Sequence, residues 1–208
     1  LLQRAGRKNN MPVGPAAKRA ILPGCRITAR PAMSMFSKDS DPLGEKEALA
    51  RHIRLALAVE RPSGMELELS YRLVKRLFNP VVLGAENIPD RPCLFVGNHS
   101  LFALDGWVLG PLMAKELKRF PRGLGDKFLF ANAGVGDFVL KRGAVMGHPE
   151  VCSALMRAGE DLIVFPGGAH EAVKPASMKY ELQWKERYGF VKLAAKHGYT
   201  IMPFGLVG

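Results

Sequence analysis

His99 is the residue best suited by type to move a proton, because an imidazole titrates near neutrality and can take the proton of a hydroxyl. Asp105 is the nearest carboxylate downstream of it. A carboxylate bonded to the second ring nitrogen would fix the tautomer and stabilise the imidazolium once it forms. On spacing alone such a pair is also what two unrelated residues look like. A second candidate is Phe165-Pro166-Gly167-Gly168-Ala169-His170-Glu171. Adjacent glycines permit positive φ and close backbone approach, which suits N–H donation to an oxyanion or a phosphate. A plain glycine turn after a strand is the competing reading. Glu171 is read either as a brace for His170 or the glycine loop, or as an ordinary surface or capping carboxylate.

Other chemistries lack their residues. No G-x-S-x-G is present to form a serine nucleophile elbow, and no Gly-Lys-Ser/Thr to close a phosphate loop. Gly123-Leu124-Gly125 and Gly134-Val135-Gly136 both miss the third glycine of a dinucleotide fingerprint. Histidines 52, 99, 148, 170 and 197 show no metal-ligand spacing, so neither a metal nor a bound cofactor is expected. Cys25, Cys93 and Cys152 form no C-x-x-C and no paired framework, which fits a reducing compartment.

The elements that must position these residues follow from the apolar runs. Cys93–Val96, Asp161–Phe165 and Thr200–Gly205 read as buried strands, with helices near 185–196, over Pro149–Ala158 and from about Leu101. Strands without polar alternation, separated by helices, predict an α/β fold: a mostly parallel central sheet flanked by helices on both faces. His99, the glycine pair and Pro203 would then share the carboxyl edge of that sheet, where ligands of open α/β sheets bind. Upstream, Leu49, Ile53, Ala56 and Leu57, then Leu73, Val74, Leu77 and Phe78 beyond Pro62 and Gly64, predict an amphipathic helical pair. Arg72, Lys75 and Arg76 interleave with the second stripe. Packing on its own domain is the expectation for this pair, and an anionic membrane surface is the alternative.

The chain has 208 residues, 48 % of them apolar and 24 % charged, enough for one globular domain. Its net charge of +11 is unevenly placed. Residues 1–38 hold eight basic residues and no acid, leaving 22 basic against 19 acidic residues in 39–208. A nucleic-acid-binding body is therefore not expected, and only the leader would support one. Residues 1–44 read as a basic leader and linker, similar to a transit peptide or else a basic tail or misassigned upstream sequence. The domain proper is expected over 45–208. A start at Leu1 and a stop at Gly208 just after an apolar run suggest a fragment whose domain continues past the C-terminus. The longest apolar run, Leu101–Ala114, is broken by Asp105 and is too short to span a bilayer.

Taken together, the segments from Val82 to Gly208 resemble the lysophospholipid/glycerol acyltransferase superfamily. Asn98-His99 with Asp105 is similar to its His-x4-Asp block, Phe165-Pro166-Gly167-Gly168 to its Phe-Pro-Glu-Gly-Thr-Arg block, and Ile201-Met202-Pro203-Phe204 to its closing Val-x-Pro block. Two departures point within the superfamily. Five residues rather than four separate His99 from Asp105, which on a helix would turn the carboxylate by about 100°. Gly167 stands where the block has glutamate, and Ala169-His170 where it has Thr-Arg. Gly167-Gly168-x-x-Glu171, Tyr180-Glu181-Leu182-x-Trp184 and Arg187-Tyr188-Gly189-Phe190 resemble the diacylglycerol acyltransferase type-2 and phytyl ester synthase branch.

The resemblance implies acyl transfer from a thioester, of coenzyme A or acyl carrier protein, to a lipid hydroxyl. His99 would be the base and Asp105 its orienting partner; Phe165, Pro166, Gly167, Gly168, His170 and Glu171 would bind substrate. With His170 replacing a phosphate-clamping arginine, a neutral alcohol such as diacylglycerol or phytol is the expected acceptor. Lys141 and Arg142 keep open a lysophospholipid or glycerol-3-phosphate acceptor, and a lipid-binding module without turnover is the third possibility. The implied partners are a membrane surface, lipid substrates and acyl carrier protein. The implied location is intracellular and membrane-associated, in plastid or endoplasmic reticulum.

Overall fold

The continuous apolar runs become central strands in the computed structural model, which describes residues 42–100, 104–179 and 181–207. Two helices lead in, α1 (Pro42–Leu57) and α2 (Gly64–Phe78). They are followed by β1 (Cys93–Gly97), α3 (Leu104–Leu112), β2 (Arg122–Gly125), α4 (Ala133–Lys141) and β3 (Ala144–Met146). The chain continues through α5 (Pro149–Arg157), β4 (Leu162–Val164), α6 (Gly168–Ala172), α7 (Gly189–His197) and β5 (Thr200–Phe204). All five strands run parallel in the order β3-β2-β4-β1-β5, so the α/β expectation holds. The leader expected over 1–44 lies outside the described residues except for 42–44, which are helical rather than linker. Pro42 can open α1 because the first helical N–H needs no intrahelical acceptor. The helix expected near 185–196 starts later, at Gly189.

β1 is buried at all five residues because both sheet faces are covered. Leu94 and Val96 join Leu162, Val151, Leu155 and Ala194 on the face packed by α1, α5 and α7. Cys93, Phe95 and Ile163 join Leu109 and Met113 on the α3 face. Pro203, which cannot donate to a ladder on both sides, stands on the edge strand β5.

Two strands are absent from the apolar pattern. β2 begins with Arg122, a fully buried side chain whose guanidinium donates to Ala56 O at 2.8 Å and Val59 O at 2.9 Å. It binds carbonyls at the C-terminal end of α1 and pairs with Glu160 at 3.4 Å, so long-range partners let a charged residue start a buried strand. β3 has only three residues, too few to show a period.

Packing of the helical pair divides. α1 sets Leu49, Ile53 and Ala56 against the core. α2 buries Val74 but leaves Met65, Leu69, Leu73 and Leu77, each four residues apart, 79 %, 62 %, 58 % and 64 % exposed. The packing expectation therefore holds for α1 and for only one side of α2.

His52 on α1 accepts the Met146 N–H at 3.0 Å, which fastens α1 to β3. Burial pushes its pKa below the ordinary 6.5. The unfolded chain then binds a proton that the folded chain does not, so stability should fall as pH drops below about 6.5. In thermal melts, His52→Gln, whose amide oxygen can accept the same bond, should flatten that decline; an unchanged pH slope would contradict it.

Candidate active site

The carboxyl ends of three neighbouring strands, β4, β1 and β5, converge on one edge. Gly97 closes β1 directly opposite Phe204 of β5. A Cβ on Gly97 would overlap the Phe204 ring, approaching its Cε1 to 2.7 Å, so only glycine lets that ring lie across the strand end. Phe204 meets Phe165 edge to face at 5.9 Å, and Phe165 stacks on His99 at 4.5 Å with 8° between planes. The imidazole thus rests against a wall of aromatic rings, an arrangement worth about 0.5–1.5 kcal/mol per pair beyond its buried area. Asn98 ties the other side: it donates to Leu206 O at 2.9 Å and accepts the Leu206 N–H at 2.7 Å.

His99 Nδ1 lies 2.5 Å from Asp105 Oδ2, with the Asp105 side chain fully buried and that of His99 14 % exposed. The extra residue between them costs no contact, because His99 and Ser100 precede the helix and the 100° rotation per helical residue does not apply to them. Asp105 sits in the first turn of α3. Its Oδ2 also accepts the Ser100 N–H at 2.7 Å, its Oδ1 the Gly106 N–H at 2.8 Å, and its own N–H donates to Ser100 Oγ at 3.0 Å. This reciprocal Ser–Asp cap holds the carboxylate rigidly while it faces the ring. With Nδ1 committed to Asp105, Nε2 is the nitrogen left to accept a proton.

The glycine segment differs from the expectation in what it offers. Gly168 has φ +53°, but its N–H bonds Phe165 O at 2.9 Å, closing the turn. The N–H groups of His99 and Ser100 are likewise spent, on Glu171 and Asp105. An oxyanion cradle built on Gly168 is therefore not what this turn provides. Glu171 is fully buried, neither a surface carboxylate nor a partner of His170. Its Oε2 accepts the His99 N–H at 2.9 Å, its Oε1 accepts the Gln183 N–H at 3.3 Å, and Lys174 Nζ lies 3.6 Å away. His170, the next residue back on α6, is exposed and has no hydrogen-bond or ion-pair partner among the described residues. The structure thus brings His99, Asp105, Phe165, Gly167 and Glu171 together and leaves His170 outside their bonding.

Arg187 fastens the turn from outside, donating to Pro166 O at 3.1 Å and Gly167 O at 3.0 Å. Beyond Phe165 and Pro166 lies an open, mainly apolar cavity of about 490 Å³ between α5 and α7. Leu124, Val164, Phe190 and Leu193 line it, with Arg187, Lys192 and Lys196 as its cations. Arg142 is elsewhere, its guanidinium 3.8 Å over Phe138 and 5.7 Å from Trp107 of α3. Among the described residues no His/Cys/Asp/Glu cluster could hold a metal ion, and no helix is long and apolar enough to cross a membrane. Asn98 and Phe204 enter the sequence blocks without a role of their own, and Ser100 stands outside them. A hydroxyl just ahead of a helix is a readable cap signal, whereas Asn98 bonds Leu206 over a hundred positions away and Phe204 meets Gly97 and Phe165 on other segments, contacts that leave no local trace.

The Acyltransferase family profile matches residues 79–207. Phytyl ester synthase 1, chloroplastic, of Arabidopsis thaliana is 33 % identical over 135 residues, covering 62 % of this chain and 19 % of that protein. The "DGAT1/2-independent enzyme synthesizing storage lipids" of Gallus gallus is 31 % identical over 120 residues, 58 % of this chain and 36 % of its own length. Diacylglycerol O-acyltransferase 2B of Umbelopsis ramanniana is 29 % identical over 69 residues, 32 % of this chain and 20 % of that protein. The chain thus spans about a fifth to just over a third of the curated relatives it matches. No solved structure matches.

Proposed function

This chain belongs to the Acyltransferase family, and we propose that it moves a fatty acyl group from a thioester to the hydroxyl of a neutral lipid alcohol, with His99 as general base. The observation that carries this reading is the 2.5 Å contact between His99 Nδ1 and the buried Asp105 carboxylate, at the carboxyl edge of the sheet. The acceptor oxygen attacks the thioester carbonyl as its proton passes to His99 Nε2. The C–S bond breaks, and the proton returns to the departing sulfur, giving an ester and a free thiol. Asp105 holds the tautomer and stabilises the imidazolium between these steps. No covalent acyl-enzyme is needed.

The donor is an acyl-thioester of coenzyme A or acyl carrier protein. The cavity beside Phe165 suits its acyl chain, and Arg187, Lys192 and Lys196 suit its phosphates. A neutral acceptor fits because the position where the family block carries arginine is His170, exposed and unpaired among the described residues. The names of the relatives, which refer to phytyl esters and storage lipids, support the same acceptor class. The exposed leucines of α2, alternating with Arg72 and Arg76, fit an anionic membrane surface from which such acceptors are drawn.

A panel of vesicle-borne acceptors tests this reading on the full-length protein. Diacylglycerol or phytol should be acylated faster than lysophosphatidate, and Leu69→Asp/Leu73→Asp should slow transfer from vesicles more than from detergent-dispersed acceptor. A preference for lysophosphatidate would assign Arg142 the phosphate and overturn the neutral-alcohol reading.

A further inference from the structure

We infer that Glu171 is the positioning residue of this site, and that its carboxylate occupies, from one helical turn further on, the space that the family block fills from position 167. The inference rests on the reading of His99 as the base. Three observations carry it. Glu171 is fully buried and accepts the main-chain N–H of His99 at 2.9 Å, within residues 98–100, which no strand or helix bonding holds. Its second oxygen is occupied by Gln183 N–H, with Lys174 Nζ 3.6 Å away, so the carboxylate is bonded on both sides. Finally, a Cβ built on Gly167 would overlap Cβ and Oε2 of Glu171 and stand 2.8 Å from its Cδ.

The last point decides the argument. Gly167 caps α6 and Glu171 lies four residues later, so both address the same side of that helix. Their side chains would compete for one volume, and only one acid can be accommodated. The family block places its acid at the position of Gly167; this chain has glycine there and an acid at 171. The absent side chain at 167 is thus the condition for Glu171 to reach the His99 main chain. Glu171 touches the His99 backbone rather than the ring, so it sets where the imidazole stands against Phe165 and Asp105 without exchanging a proton.

Five full-length proteins test this: wild type, Glu171→Gln, Glu171→Ala, Gly167→Glu, and the double variant Gly167→Glu/Glu171→Ala. A displaced base of this kind typically costs about 10²-fold. Glu171→Ala should lose about that much kcat with little change in KM for the thioester, and Glu171→Gln, which keeps an acceptor oxygen, should retain most of it. Gly167→Glu alone should lose both Tm and activity. The double variant should recover both relative to Gly167→Glu. The His99 amide provides a readout that needs no substrate: its hydrogen-exchange protection should fall in Glu171→Ala, stay in Glu171→Gln and return in the double variant. A double variant no better than the worse single one in Tm and His99 protection would overturn the inference. If protection and Tm follow the exchange while even the wild type transfers no acyl group, the functional reading fails and the shared carboxylate position stands.

Discussion

Replacing His99 with alanine is expected to lower acyl transfer by about 10²- to 10⁴-fold, the usual contribution of a general base, while leaving the protein folded. Folding should survive because the stretch after β1 is fastened through its main chain: Glu171 binds the His99 N–H and Asp105 the Ser100 N–H, and alanine keeps both bonds. What alanine loses is the stack on Phe165 and the bond to Asp105. A modest drop in Tm is the expected structural cost, and KM for the thioester should change little, since the imidazole faces the proton and not the acyl chain. Initial rates and a thermal melt on the same preparation separate the two effects. A folded His99→Ala protein with wild-type turnover would remove His99 from the mechanism.

Asp105→Asn is expected to be nearly as damaging, by about 10²- to 10⁴-fold in kcat. Asparagine retains one carbonyl oxygen, which can still accept the Ser100 or Gly106 N–H, so α3 should keep its start. Its amide group, however, carries no charge to stabilise an imidazolium. If its NH2 faces Nδ1, it also draws the ring into the tautomer whose Nε2 bears the proton and cannot accept another. Asp105→Asn should therefore depress kcat far more than Tm. Loss of Tm with little loss of kcat would show that Asp105 serves the helix cap alone.

Much of this arrangement is legible in the sequence, for identifiable reasons. β1 and the Leu162–Val164 strand are buried on both faces, and a continuous apolar run is what such burial requires. β2 shows no continuous apolar run: it opens with Arg122, whose charge is paired with Glu160 at 3.4 Å and whose guanidinium donates to Ala56 O and Val59 O, residues over 60 positions away in the chain. His99 and Asp105 stand out by type, and their spacing is irregular only if both are placed on one helix; the helix begins after His99. Glu171 is the clearest case of an incomplete reading. Its position four residues after Gly167 is visible in the sequence, whereas its reach to the His99 main chain depends on β4 lying beside β1, which no local pattern states. The exposed side of α2 is equally ambiguous in sequence, since a stripe at helical spacing looks the same whether it meets a core or a membrane.

The central claim is that His99 acts on the acceptor's proton and never carries the acyl group itself. Rapid mixing of the wild-type protein with acyl-CoA alone, followed by thiol release and intact mass, tests it most directly. The account predicts no burst of free thiol and an unmodified protein mass until a lipid alcohol is added, whereupon thiol and ester should form together. A stoichiometric thiol burst with an acylated protein in the absence of alcohol would contradict it.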